Sequence, residues 1–161
     1  AKVNTDIFDL SAQNIEIKGE NYRYVSAEGN VVANHKEKQI TFKSPSVFLD
    51  RQTNTITADG WIELEDKENE AILSGAWFKY ETEKETLQIQ IMAKILKATD
   101  KGIMICKANI ITFDLKLKTV VLKGNASVQW NGNTYNASLI TVNLETEDIS
   151  LSGSISGEFY D

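Results

Sequence analysis

Ile149-Ser150-Leu151-Ser152-Gly153-Ser154-Ile155-Ser156-Gly157-Glu158-Phe159 sets an apolar or glycine residue at every second position, with serines and one glutamate between them. A period of two is that of a strand with one buried face and one wet face. Four earlier stretches keep the same rhythm: Val25-x-Ala27-x-Gly29-x-Val31, Ile56-x-Ala58-x-Gly60-x-Ile62, Leu87-x-Ile89-x-Ile91-x-Ala93 and Val120-x-Leu122-x-Gly124-x-Ala126. Before each of the five runs come two apolar residues spaced two apart: Ile15/Ile17, Val47/Leu49, Phe78/Tyr80, Ile111/Phe113 and Ile140/Val142. The units begin at Ala12, Ser44, Gly75, Ala108 and Ala137, about 31 residues apart. A period of that size marks stacked supersecondary units, none of which covers its apolar face alone.

Each unit therefore holds two strands. Short charged turns join them within a unit, at 50–54, 81–86, 116–119 and 145–148, and the links between units fall at 34–38, 65–70, 97–102 and 130–134. Asn131-Gly132 suits a type I′ hairpin, which needs positive φ at both centres. Asp59-Gly60 looks equally turn-like, but Gly60 keeps the register of Gly29, Gly124 and Gly153 inside an alternating run, so it belongs within a strand. A glycine there marks a bend or a close approach to the backbone. The Leu87–Ala93 run carries Ile91 at that position instead. Val, Ile, Thr and aromatic residues are plentiful and Pro45 is the only proline, which favours sheet. Residues 2–10 suit a short turn or helix.

This predicts an all-β chain of roughly ten to sixteen short strands in one domain spanning 1–161. Strands buried on both faces would be continuously apolar, so alternation excludes a fully covered parallel sheet. What remains is a long antiparallel sheet folded over itself, either an elongated sandwich or an open-ended, solenoid-like jelly roll. The two ends of such a stack carry unpaired strand edges.

Chemistry is sparse. The formal charge of −6 argues against a nucleic-acid partner, and no apolar run reaches the length of a membrane span. His35 is the only histidine and reads as part of a solvated loop, 34–38; Cys106 is the only cysteine and reads as a small buried strand residue. Neither stands at ligand spacing, so no metal site or cofactor is expected. Glu65-Asp66 and Glu145-x-Glu147-Asp148 fall in predicted turns, where solvation accounts for them. With no phosphate loop or nucleophile elbow, the chain reads as a non-enzyme. Trp61, Trp77 and Trp130 are expected near strand ends.

The predicted inner face includes Val31, Phe42 and Ile91 together with the residues expected to line a lipid-binding interior: Leu49, Ile56, Phe78, Tyr80, Ile89, Phe113, Leu122, Val142 and Leu151. Such a face is either an ordinary dry core or the wall of an apolar trough.

Ala27-Glu28-Gly29-Asn30-Val31-Val32, Ile56-Thr57-Ala58-Asp59-Gly60, Leu122-Lys123-Gly124-Asn125-Ala126-Ser127-Val128 and Leu151-Ser152-Gly153-Ser154-Ile155 together resemble the OstA-like module. That module occurs in LptA-type lipopolysaccharide transport proteins, in LptC-type domains and in the N-terminal part of LptD. The resemblance runs from about residue 10 to the C-terminus. It implies a twisted β-jelly roll in the periplasm of a diderm bacterium, free or held to a membrane by a segment outside this chain. It also implies lipopolysaccharide or a related glycolipid as cargo, bound by its acyl chains and passed toward the outer membrane. Partners would be other OstA-like proteins at the edge strands, or further copies of the chain joined head to tail. Two readings of other classes stand beside it: a β-solenoid that self-assembles through its edges without cargo, and a carbohydrate-binding jelly roll using Tyr22, Tyr24 and Trp61.

Overall fold

The computed structural model describes residues 1–158; Phe159, last in the alternating run quoted above, lies outside them. The described residues form thirteen strands: β1 (Lys2–Asn4), β2 (Phe8–Ser11), β3 (Asn14–Lys18), β4 (Tyr24–His35), β5 (Ile40–Asp50), β6 (Thr55–Asp66), β7 (Ala71–Glu81), β8 (Thr86–Thr99), β9 (Gly102–Asp114), β10 (Thr119–Trp130), β11 (Asn133–Asn143), β12 (Ile149–Ser152) and β13 (Ser156–Glu158). All belong to one antiparallel sheet, and from β4 to β11 each strand pairs with the next in sequence. The N-terminal segment expected to be a turn or helix is instead β1 and β2, because β4 offers an edge that short segments can pair with. The single 3₁₀ turn lies elsewhere, at Glu20–Tyr22. Asn131 and Gly132 take φ 50 and 78, as the hairpin reading requires.

Every long strand crosses a corner. Register shifts fall at Glu28/Val31, Asp59/Ile62, Gln90/Ala93 and Lys123/Ala126, the centres of β4, β6, β8 and β10. These are the glycine positions of the repeat. Gly29-Asn30 and Gly124-Asn125 adopt left-handed φ (82 and 48, 80 and 47), which a glycine and an asparagine tolerate. In β8 the corner is built from Ile91 and Met92 at φ 64 and 56, and their side chains are 59% and 76% exposed. Ile91 therefore leaves the inner face, because the corner turns it outward. Trp61 and Trp77 lie beside these corners in mid-strand rather than near strand ends.

The corners divide the sheet into two walls. The first holds the N-terminal halves of β4, β6, β8 and β10, the C-terminal halves of β5, β7, β9 and β11, and β3 and β12. The second holds the remaining halves with β2 and β13. Phe42 pairs with Leu64 on the second wall and Phe78 with Ala58 on the first, yet their ring centroids are 5.4 Å apart. Only a sheet folded onto itself brings them together. Backbone hydrogen bonds between successive turns run along both rims, such as Thr82 N–H to the Asn54 carbonyl and Ala98 N–H to the Glu70 carbonyl. The core is one continuous apolar layer between the walls.

At the C-terminal end the last alternating run splits at Gly153-Ser154 (φ 73 and 47) into β12 and β13, each pairing with β11 on its own wall. Ile155, expected inside, is 57% exposed, since among the described residues no further strand covers it.

Candidate functional site

All nine residues expected to line the interior fall into two adjacent cross-strand rows of the first wall. The row next to the rim runs Val25, Leu49, Ile56, Tyr80, Leu87, Phe113, Val120, Val142, Ile149. The deeper row runs Ala58, Phe78, Ile89, Ile111, Leu122, Ile140, Leu151. Eight of the nine are buried, and Leu151 is half-buried at the uncovered C-terminal end. At about 4.8 Å between strands, the rim row makes an apolar stripe roughly 38 Å long. On the second wall Leu10, Ala33, Phe42, Leu64, Leu73, Ile95, Cys106 and Val128 form a matching row, whose Phe42 meets Phe78 of the deeper row. Cys106 is buried in β9 as the sequence suggested, and burial pushes its thiol up to about 12.

The walls meet around four aromatic rings. Phe8 packs edge-on against Phe42 at 5.7 Å and against Tyr80 at 5.8 Å, and Phe42 reaches Phe78. Toward the N-terminal end the rims part. A cavity of about 610 Å³ opens there, with Phe8 and Leu49 at its apolar floor and Asp6, Glu20, Arg23 and Arg51 around its lip. Arg23 donates from Nε and Nη2 to both Asp50 carboxylate oxygens at 2.9 Å. That pairing, aided by the Gln52 and Thr53 N–H groups and opposed by partial burial, holds Asp50 at about 2. The mouth is amphipathic, polar above and apolar below.

A polar seam runs along the rim of the second wall. Continuing the alternation past the corner carries the inner face to His35, Asp66, Lys97 and Trp130, at or near the ends of β4, β6, β8 and β10. Asp66 was expected in a solvated turn; it is 1% exposed, and Asn69 donates to it from its backbone N–H at 3.2 Å and from Nδ2 at 2.6 Å. The Lys97 ammonium donates to the Asn69 carbonyl. His35 is no solvated loop residue either: its ring packs on Phe8 at 4.9 Å, and Nδ1 accepts the Glu37 and Lys38 N–H groups at 3.1 Å. Burial is the main cause of its lowered pKa, with the Lys38 charge adding to it. Lys38, on the second wall's rim, reaches Glu85 on the first at 2.7 Å. Period-two counting beyond the apolar residues would have found this seam; stopping the alternation at the first polar residue hid it.

The candidate sugar platform does not assemble. Tyr24 stacks on Phe48 at 5.6 Å, whereas Trp61 lies in a separate corner cavity beside Gln13 and Pro45. Among the described residues, no His/Cys/Asp/Glu group could hold a metal ion, and no helix is long and apolar enough to cross a membrane.

Residues 9–148 match the model of a family described as "LptA/(LptD N-terminal domain) LPS transport protein". The chain belongs to that family. It is a family of transport proteins. The crystal structure of LptH, described as the LptA-homologous periplasmic component of the lipopolysaccharide transport device of Pseudomonas aeruginosa, superposes with a TM-score of 0.51 at 14% identity. The match covers 96% of this chain and 95% of LptH, so the likeness in fold extends over both molecules. No curated protein sequence matches the chain.

Proposed function

We propose that this family member is a non-enzymatic carrier for lipopolysaccharide or a related glycolipid, working in the periplasm and holding the acyl chains between its two walls. The alignment of Leu49, Ile56, Phe78, Tyr80, Ile89, Phe113, Leu122, Val142 and Leu151 into two unbroken rows of one wall supports this reading. A dozen buried methylenes contribute on the order of 10 kcal/mol gross. Separating Phe8, Phe42 and Phe78 and ordering the chain offset much of that, which suits a carrier that must release its load. The mouth at Phe8 and Leu49 is the point of entry, where the walls already stand apart.

Transfer between modules would use the sheet's ends. β1 and β3 leave edges at one end, β12 and β13 at the other, and the half-buried Ile149 and Leu151 with exposed Ile155 continue the apolar face there. A further copy or another module of this family adding strands to either end would cover them.

Photo-crosslinking tests the carrier. A benzophenone side chain at Leu49, Ile56, Phe113 or Leu151 is expected to capture glycolipid, and one at the outward Lys43 or Lys107 is not; capture confined to the outward positions would remove this reading. The aromatic closure at mid-length favours one alternative, a cargo-free solenoid assembling through its edges. In that case native mass spectrometry shows concentration-dependent oligomers with no lipid adduct.

A further inference from the structure

Tyr80 carries the polar atom that the rest of the interior leaves unexplained. The residue is 0% exposed, and its hydroxyl has no hydrogen-bond partner among the described residues. A buried hydroxyl without a partner is costly, so its retention calls for a reason. Its row neighbours are Ile56 and Leu87, and the rings of Phe8 and His35 lie 5.8 and 6.3 Å from its own. Neither His35 nor the carboxylates of Asp66 and Glu85 hydrogen-bonds to it. His35 Nδ1 takes two backbone N–H groups, both Asp66 oxygens take Asn69, and Glu85 holds Lys38. Burial, and then the charges of Glu85 and Asp66, keep the phenol protonated, so it is available as a donor.

Its position matters as much as its isolation. Tyr80 stands in the row just under the rim, one residue inside Glu81 and the turn that follows. Phe8, which covers its ring, also floors the open mouth. A chain that enters there and displaces Phe8 comes against the Tyr80 ring. An acyl chain seated between the walls is apolar except at its head end, where the ester or amide carbonyl lies. A carboxylate or phosphate at this spot would be repelled by Glu85 and Asp66, whereas a neutral carbonyl would not.

We infer that the Tyr80 hydroxyl is a recognition point for the neutral carbonyl of an acyl linkage, and that it sets the depth at which a chain seats in the trough. This rests on the carrier reading. The probes are two lysophosphatidylcholines with the same headgroup and a fourteen-carbon chain, one joined by an ester and one by an ether, titrated below their micellar concentrations. Wild-type protein is expected to bind the ester about 5–10-fold more tightly, the gain of one hydrogen bond. Tyr80→Phe is expected to bind both equally. An ester preference that is absent from the wild type, or that survives in Tyr80→Phe, overturns the inference while leaving the carrier intact. Failure of the wild type to bind either lipid removes the carrier and this inference with it. Lipid-free Tyr80→Phe should melt at or above the wild-type temperature; a fall of several degrees would mean that the hydroxyl is already committed within the fold, and would overturn the assignment.

Discussion

Replacing Phe42 and Phe78 by leucine, singly and together, tests whether the two walls really close on each other. Both rings are fully buried, one on each wall, with centroids 5.4 Å apart and 41° between planes. Alanine is too severe: each truncation would cost about 3–5 kcal/mol, and two would approach the whole stability of a domain, about 5–15 kcal/mol. Leucine keeps most of the volume, so each single change should cost about 1–1.5 kcal/mol. The ring–ring contact adds about 0.5–1.5 kcal/mol beyond area burial, and it is lost once, in whichever single variant is made first. The double variant should therefore lose about 0.5–1.5 kcal/mol less than the two single losses combined. Urea unfolding followed by tryptophan emission reads this, since 1 kcal/mol moves the midpoint by roughly 0.5 M at an m-value near 2 kcal/mol/M. Additivity within about 0.3 kcal/mol would refute wall-to-wall contact at mid-length. The trough would then be open there, and the cost assigned to loading a chain would be wrong.

The corners of β10 and β8 give a second test. Gly124→Val puts a branched side chain at φ 80 with its Cβ 2.7 Å from Asn109 Nδ2, and should cost about 2 kcal/mol. Ile91→Gly at φ 64 should change stability by less than about 1 kcal/mol, because strain relief offsets glycine's entropy and the partial burial lost; the reverse order in thermal melts would contradict this account of the corners. Acid should weaken the fold in two stages. His35 has a lowered pKa, so the stability it contributes is complete above its ordinary 6.5 and declines as pH falls below that value; His35→Gln should flatten this part of a pH–stability curve. Asp50, held at about 2, contributes above its ordinary 3.8 and loses that contribution as pH falls toward 2; Asp50→Asn should cost about 1 kcal/mol at neutral pH and shrink the acid limb. Cys106, buried with its thiol pushed up to about 12, should resist a disulfide reagent in the native protein and react fully in denaturant; rapid native labelling would show that the walls part readily.

Much of the site was legible because the period of a strand is a local property. Counting by twos from Leu49, Ile56 or Phe113 assigns a face without knowing what lies opposite, and the structure places all nine counted residues on the inner side. The same arithmetic failed where a residue's surroundings overrode its type. His35 and Asp66 look solvated by composition, yet each ends an inward row and is covered by a ring or capped by a neighbouring turn. Ile91 looks buried by its neighbours, yet the corner turns it to solvent.

From its residues alone the chain determines five repeats, their strands, and which side chains face inward, since each of these depends on neighbours a few positions away. Where the sheet doubles back, and how tightly, is decided by the fold as a whole. The contacts that matter there, Phe42 with Phe78, Phe8 with Tyr80 and Lys38 with Glu85, join distant segments whose meeting depends on successive corners all turning the same way. No local rhythm encodes that angle, and it is the angle that makes one wall of apolar rows into the lining of an enclosed interior.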